Sequence, residues 1–191
     1  DWSSDVCSSD LICDCFPAGR GASCNYGIGK DGRIALCVDE DNRSWCSSSN
    51  ANDQRAITIE CASDKTEPYA MTGAVYASLI DLCTDICKRY GKTKLLWFAD
   101  KEKTLAYNPA ADEMIITVHR WFANKSCPGD WLYNRLGDLA AKVTAKLGGT
   151  ASNPSGTLYR VQTGAYTKKA NADAQLEKVK AAGFDTYMVQ A

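Results

Sequence analysis

Between residues 71 and 90 the apolar side chains Val75, Leu79, Leu82, Cys83, Ile86 and Tyr90 recur every three or four positions, and Gly91 follows at once. That period puts them on one face of a helix, and glycine is the residue that most easily adopts the left-handed conformation in which helices stop. The stretch 131–147 repeats the pattern through Leu132, Leu136, Leu139, Val143 and Leu147, which predicts a second helix. Shorter apolar runs at 56–61, 94–98 and 114–118 read as strands, with Glu60 near the C-terminal end of the first. Upstream, the Asp31-Gly32 pair lies between two short extended runs ending near Val38, a hairpin signal. Strands alternating with helices predict an α/β domain, a mixed central sheet flanked by helices, closing near residue 147.

The segment 27–32 also satisfies the spacing G-x-G-x-x-G. A dinucleotide site needs a helix to open at the end of that spacing, so that its N-terminus meets the phosphates. A strand follows here, which rules the reading out. Residues 44–54, rich in serine and asparagine, are loop by composition.

Two further segments frame the domain. Residues 148–157 have linker composition, and beyond them come a strand at 158–166, a helix at 171–182 stopped by Gly183, and a strand at 184–190. At the other end, residues 1–11 carry no apolar period, no helix cap and no charged-then-apolar leader pattern. They resemble a translated sequencing adapter and read as a non-native leader, which makes the domain 12–147. Without that leader 20 acidic side chains face 22 basic ones, a formal +2 in place of −1, and nine of ten cysteines remain.

A balance so near zero gives no reason to expect nucleic acid as a partner. No apolar run approaches the roughly 20 residues of a membrane span. The cysteines that remain are odd in number. Cys37 and Cys61 sit in apolar strand-like runs, and Cys83 and Cys87 lie one turn apart on an apolar helix face. Reduced cysteine packs as a small hydrophobe, so a mostly thiol state is the expectation.

The candidate chemistry is concentrated after the strand at 114–118. His119-Arg-Trp-Phe-Ala-Asn-Lys125-Ser-Cys127-Pro128-Gly129 brings the only histidine, a thiol and a cation into eleven residues. Imidazole nitrogen and thiolate sulfur are donors that zinc prefers, and a neighbouring ammonium stabilises an oxyanion. The spacing H-x-x-x-x-x-K-x-C-P resembles the second half of the zinc site in type 2 N-acetylmuramoyl-L-alanine amidases, the cell-wall hydrolases related to peptidoglycan recognition proteins. Residues 23–32, 52–60 and 119–129 carry that resemblance. Residues 158–191, through Tyr159-Arg-Val-Gln-Thr-Gly-Ala-Tyr166 and Ala182-Gly-Phe184, resemble the first half of a SPOR domain, a βαββαβ module that binds peptidoglycan glycan strands.

The resemblance implies a peptidoglycan hydrolase, an endolysin or autolysin acting at the bacterial cell wall on the amide between N-acetylmuramic acid and L-alanine. It implies Zn2+ held by His119 and Cys127, Glu60 as general base, and Lys125 as oxyanion stabiliser. It implies peptidoglycan, both stem peptide and glycan strand, as partner. The family places a first zinc histidine on an early strand, and this chain has no histidine besides His119. Two other readings follow from the same residues: a non-catalytic peptidoglycan-recognition protein, and a thiol hydrolase using Cys127 and His119.

Overall fold

The computed structural model of the chain describes Gly19, residues 21–148, Gly164 and residues 166–183. The leader 1–11 lies outside these residues. So do the linker after Gly148 and the strands at 158–166 and 184–190, apart from Gly164 and Tyr166.

The hairpin forms where Asp31-Gly32 places it. Strand β1 (Tyr26–Ile28) pairs antiparallel with β2 (Ile34–Leu36), Gly27 facing Ala35. The Gly32 N–H donates to the Gly29 carbonyl at 2.8 Å, and Gly32 sits at φ +84°, the left-handed residue of a tight turn. A Cβ at Gly32 would lie 2.7 Å from Ser78 Oγ, so the turn and the helix beneath it approach closely only through glycine. β3 (Ile59–Cys61) lies parallel to β1 on its other side, giving a three-stranded mixed sheet in the order β2-β1-β3. β4 (Lys94–Leu96) and β5 (Glu113–Ile115) form a second, parallel pair. Among the described residues the expected mixed sheet is therefore two small sheets, and each predicted strand is trimmed to three residues.

Helix α2 (Gly73–Arg89) begins at Thr72, whose hydroxyl accepts the Val75 N–H, and stops before Gly91 at φ +65°. Its buried stripe (Val75, Leu79, Leu82, Ile86) is the one the period predicted. The second predicted helix is broken into α4 (Gly129–Tyr133) and α5 (Leu136–Lys146), separated at Asn134 and Arg135. Leu136, Leu139 and Val143 of α5 pack into one core with Val75, Leu79 and Ile28. Two short helices arise that no periodicity announced, α1 (Asn50–Asp53) inside the polar loop and α3 (Lys101–Ala106), each N-capped by a side chain, Ser49 and Asp100.

The chain divides into two compact units, 1–154 and 155–191. In the second, α6 (Lys169–Ala181) is followed by Gly183 at φ +84°, and Lys169 pairs with Asp173 at 2.8 Å one turn on. No helix among the described residues is long and apolar enough to cross a membrane.

Candidate active site

The site begins with a buried asparagine. Asn25, 1% exposed, donates through Nδ2 to the carbonyls of Val38 (3.2 Å), Asp39 (3.1 Å) and Asn42 (3.3 Å). Its Oδ1 accepts from the backbone N–H of Thr58 at 3.0 Å and the Thr58 hydroxyl at 3.1 Å. One side chain thus ties both ends of the loop 38–58 to β1. Within that loop, Asp53 Oδ1 accepts the Ser47 N–H at 3.0 Å, and Asn52 bridges from Ser47 Oγ to the Thr117 hydroxyl, both at 3.0 Å. Thr117 is two residues before His119, so this bridge fixes the loop against the histidine segment.

His119 follows β5 in a 3₁₀ turn (His119–Trp121) and is 8% exposed. Its Nε2 lies 2.9 Å from the hydroxyl of Ser48, a residue at φ +61°. Burial lowers the imidazole pKa, the Lys125 ammonium lowers it further, and the Asp53 carboxylate opposes both. The return to Cys127 is closed by Arg120, whose backbone N–H donates to the Cys127 carbonyl at 3.0 Å and whose guanidinium pairs with Asp130 at 2.9 Å. Gly129, at φ +78°, packs against Tyr69 where a Cβ would come within 2.7 Å of Tyr69 Cβ.

Glu60 is the middle residue of β3, opposite Gly27. The Cys46 thiol donates to its Oε1 at 3.4 Å. Burial raises the thiol pKa of Cys46 and of Cys127, and the Glu60 charge adds to the rise in both. Both causes disfavour the thiolate form of Cys127. All seven cysteines among the described residues are free thiols, although Cys37, expected in a strand interior, is exposed.

Glu60, His119 and Cys127 line one cavity of 480 Å³, together with Cys46, Ser47 and Asp53. Lys125 is not among the lining residues and acts on the site through its charge beside His119. The sequence reading missed Ser48, Asp53, Asn52 and Cys46. Their signal was an N-cap pattern, Ser49 before Asn50, hidden in a segment that composition alone assigns to loop.

Comparison at the family level matches residues 3–130 to the family described as N-acetylmuramoyl-L-alanine amidase. The chain belongs to that family. The match begins within the stretch read as a leader and ends inside α4. A second match assigns residues 130–190 to the SPOR domain, a range that takes in α5, whose side chains lie in the core of the first unit. Comparison with curated proteins and with solved structures finds no match to either. The two families give the chain an amidase-type unit and a peptidoglycan-binding unit, and they place its action at the cell wall.

Amidases of this family are typically zinc-dependent, and a catalytic zinc takes three protein donors and keeps a fourth position open. Among the described residues no three histidine, cysteine, aspartate or glutamate side chains converge as a metal-holding group. His119 Nε2 is met by the Ser48 hydroxyl, and Cys127 is a half-buried free thiol. The expected pair is present on one cavity, but the described donors do not fit a complete catalytic zinc site.

Proposed function

We propose that the chain hydrolyses the amide between N-acetylmuramic acid and the L-alanine of the peptidoglycan stem peptide, and that its SPOR-type unit binds the glycan strand. The observation that carries this reading is the placement of Glu60, His119 and Cys127 on the walls of one cavity in an amidase-family chain. Glu60 accepts a hydrogen bond from Cys46 at that cavity, at 3.4 Å. In this reading Glu60 takes the proton from the attacking water and returns it to the leaving amine. Lys125 supplies positive charge on the side of His119, where it favours a developing oxyanion. His119 and Cys127 are the pair assigned to zinc by resemblance, two donors where three are needed, so metal content is a measurement this reading requires.

The test incubates the purified chain with isolated cell walls, with and without added zinc, and follows free L-alanine N-termini. Wild type is expected to release them. Glu60→Gln, which removes the proton acceptor but leaves a hydrogen-bonding side chain, is expected to lose about 10²–10⁴-fold in rate. No release by wild type under either condition sinks the hydrolytic reading.

A second reading, a peptidoglycan-recognition protein without turnover, is favoured by one contact. The Ser48 hydroxyl lies 2.9 Å from His119 Nε2, so that nitrogen has a protein partner. Wall sedimentation without alanine release is the result that selects it.

A further inference from the structure

Among the described cysteines, Cys37 stands exposed and Cys24 is fully buried, and the two flank the hairpin. Cys24 lies just before β1, and Cys37 follows β2 directly. Beyond the last paired residues, Tyr26 and Leu36, the Cys37 N–H donates to the Asn25 carbonyl at 2.8 Å, and the Val38 N–H reaches the same oxygen at 3.4 Å. Two successive amides on one acceptor make a bulge, which places Cys37 opposite Asn25 and next to Cys24. The two cysteine side chains are hydrogen-bonded to one another. Cys46 with Cys127, Cys61 with Cys83, and Cys83 with Cys87 act on one another through charge, and none of these is exposed.

An exposed thiol is reached by oxidants, and a buried thiol beside it can complete the disulfide that the exposed one begins. Burial raises the Cys24 thiol pKa, and the charges of Cys37 and Glu60 raise it further, so Cys24 is suited to the second step and not the first. Opposed residues of antiparallel strands have Cα atoms about 4.5–5.5 Å apart, within the roughly 4.4–6.8 Å that a disulfide spans. At the cell wall, where the two families place the chain, the cytoplasmic thiol pool does not keep cysteines reduced. The position bears on the site as well. Asn25, next to Cys24, holds the carbonyls of Val38, Asp39 and Asn42, so a link from Cys24 to Cys37 fixes the point at which the loop 38–58 leaves the hairpin.

We propose that Cys24 and Cys37 are a redox-sensitive pair, a modification site at which a small-molecule disulfide closes an intrachain bridge across the open end of the hairpin. The Cys37 thiolate attacks the reagent, forms a mixed disulfide and expels one thiolate. The Cys24 thiolate then attacks the Cys37 sulfur and expels the second. The two cysteine protons end on the two expelled thiols, so the chain loses two electrons and two protons and the small disulfide gains both. Closing the loop from Cys24 to Cys37 removes freedom from the unfolded chain, enough to raise the melting temperature by about 5 °C. The pair stands whether or not the chain hydrolyses its wall substrate.

The experiment incubates the full chain with mixtures of reduced and oxidised glutathione, alkylates the remaining thiols, and digests with trypsin before any reduction. Cleavage at Arg20, Lys30, Arg33 and Arg43 puts Cys24 in residues 21–30 and Cys37 in residues 34–43, so the bridge appears as one mass that dithiothreitol splits into two peptides. This linked pair is expected to form first, and in higher yield than any other cysteine linkage. Cys24→Ala is expected to leave glutathione trapped on Cys37. Cys37→Ser, at an exposed position, is expected to fold as wild type does and to leave Cys24 reduced. Oxidised wild type is expected to melt about 5 °C above the reduced protein, a gain that Cys37→Ser lacks. Glutathione that stays on Cys37 of the wild type, a bridge from Cys37 to a different cysteine, or no oxidation at all overturns the pair. So does a linked chain that melts no higher than the reduced one.

Discussion

The cavity has two unlike walls. On one side Leu79, Met114, Ile116 and Leu139 present apolar surface from α2, the end of β5 and α5. On the other, residues 40–58 stand in place through hydrogen bonds: Asn25 to Thr58 and three carbonyls, Asp53 to Ser47, and Asn52 to Thr117. The first wall is close-packed and gives the unit its stability. The second is held by hydrogen bonds, and through Ser48 and Asn52 it meets His119 and Thr117. Each kind of wall fails differently, and substitutions separate them.

The largest effect is expected on the apolar wall. Leu139 is 2% exposed and belongs to the same buried cluster as Val75, Leu79 and Val143. Leu139→Ala removes buried methyl groups and leaves a void, which costs about 2–5 kcal/mol in comparable cores. Urea unfolding of the amidase-type unit reads the loss. Because Leu139 also lies within the SPOR match, a loss below about 1 kcal/mol would show that α5 does not belong energetically to the first core.

The polar wall should break at Asn25. Asn25→Ala leaves the Val38 and Asn42 carbonyls and the Thr58 N–H without this partner at once, while the Asp39 carbonyl keeps the Asn42 N–H at 2.9 Å. Unsatisfied buried groups cost about 1–3 kcal/mol, the lower figure applying where water enters. The more telling sign is local, since amide exchange at Thr58 and Ser47 should accelerate more than exchange in α2. Uniform acceleration across the unit would mean that the two walls are one cooperative structure.

How far each wall was legible in the sequence follows from what holds it. The stripe Val75, Leu79, Leu82 and Ile86 could be read because burial against a neighbour demands a fixed period, and period survives in sequence. The break between α4 and α5 at Asn134 and Arg135 could not, since Leu132, Leu136 and Leu139 keep helical spacing across it. His119, Cys127 and Glu60 could be picked out as candidates through donor types and a family resemblance, and the fold places all three on one cavity. Ser48 and Asp53 could not. Their contacts are side-chain hydrogen bonds within a serine-rich loop, and no periodicity or composition encodes which serine meets which histidine.

A smaller effect sharpens the comparison at the edge of the polar wall. Glu40 accepts from Arg89 at 2.6 and 2.7 Å and from the Tyr26 hydroxyl at 2.7 Å, and its side chain is 11% exposed. The Arg89 hydrogen bonds, chiefly, hold its carboxyl down at about 2. Its folded value lies below its unfolded one, so the stabilisation is present above the ordinary glutamate range near 4.5 and is lost as pH falls toward 2. Arg89 is 41% exposed, so solvent screening limits the pair to about 1 kcal/mol. Glu40→Gln should flatten that acid limb of the stability curve by a similar amount. An unchanged limb would assign the acid sensitivity to other carboxylates.

The smallest expected effect is the titration of His119, and it tests the polar wall most directly. As the only histidine, its ring signals can be followed by NMR without ambiguity, in metal-free protein with a chelator present. Burial comes first among the causes that lower its pKa, the Lys125 ammonium second, and the Asp53 carboxylate pulls the other way. The midpoint should therefore fall below the usual 6.5. Lys125→Gln should raise it, by removing a like charge, and Asp53→Asn should lower it, by removing the attraction. The sign for stability follows from proton counting. The unfolded chain binds the histidine proton first as pH drops, so stability is full above the unfolded histidine value and declines as pH falls from there through the folded value. Because the ring accepts or donates to Ser48 Oγ at 2.9 Å, Ser48→Ala should change the tautomer balance seen in the nitrogen shifts while leaving the burial contribution in place. A midpoint at or above 6.5 that ignores both Lys125→Gln and Asp53→Asn would mean that the loop 40–58 does not hold its charged groups against the histidine in solution, and the polar wall would lose its claim to position the site.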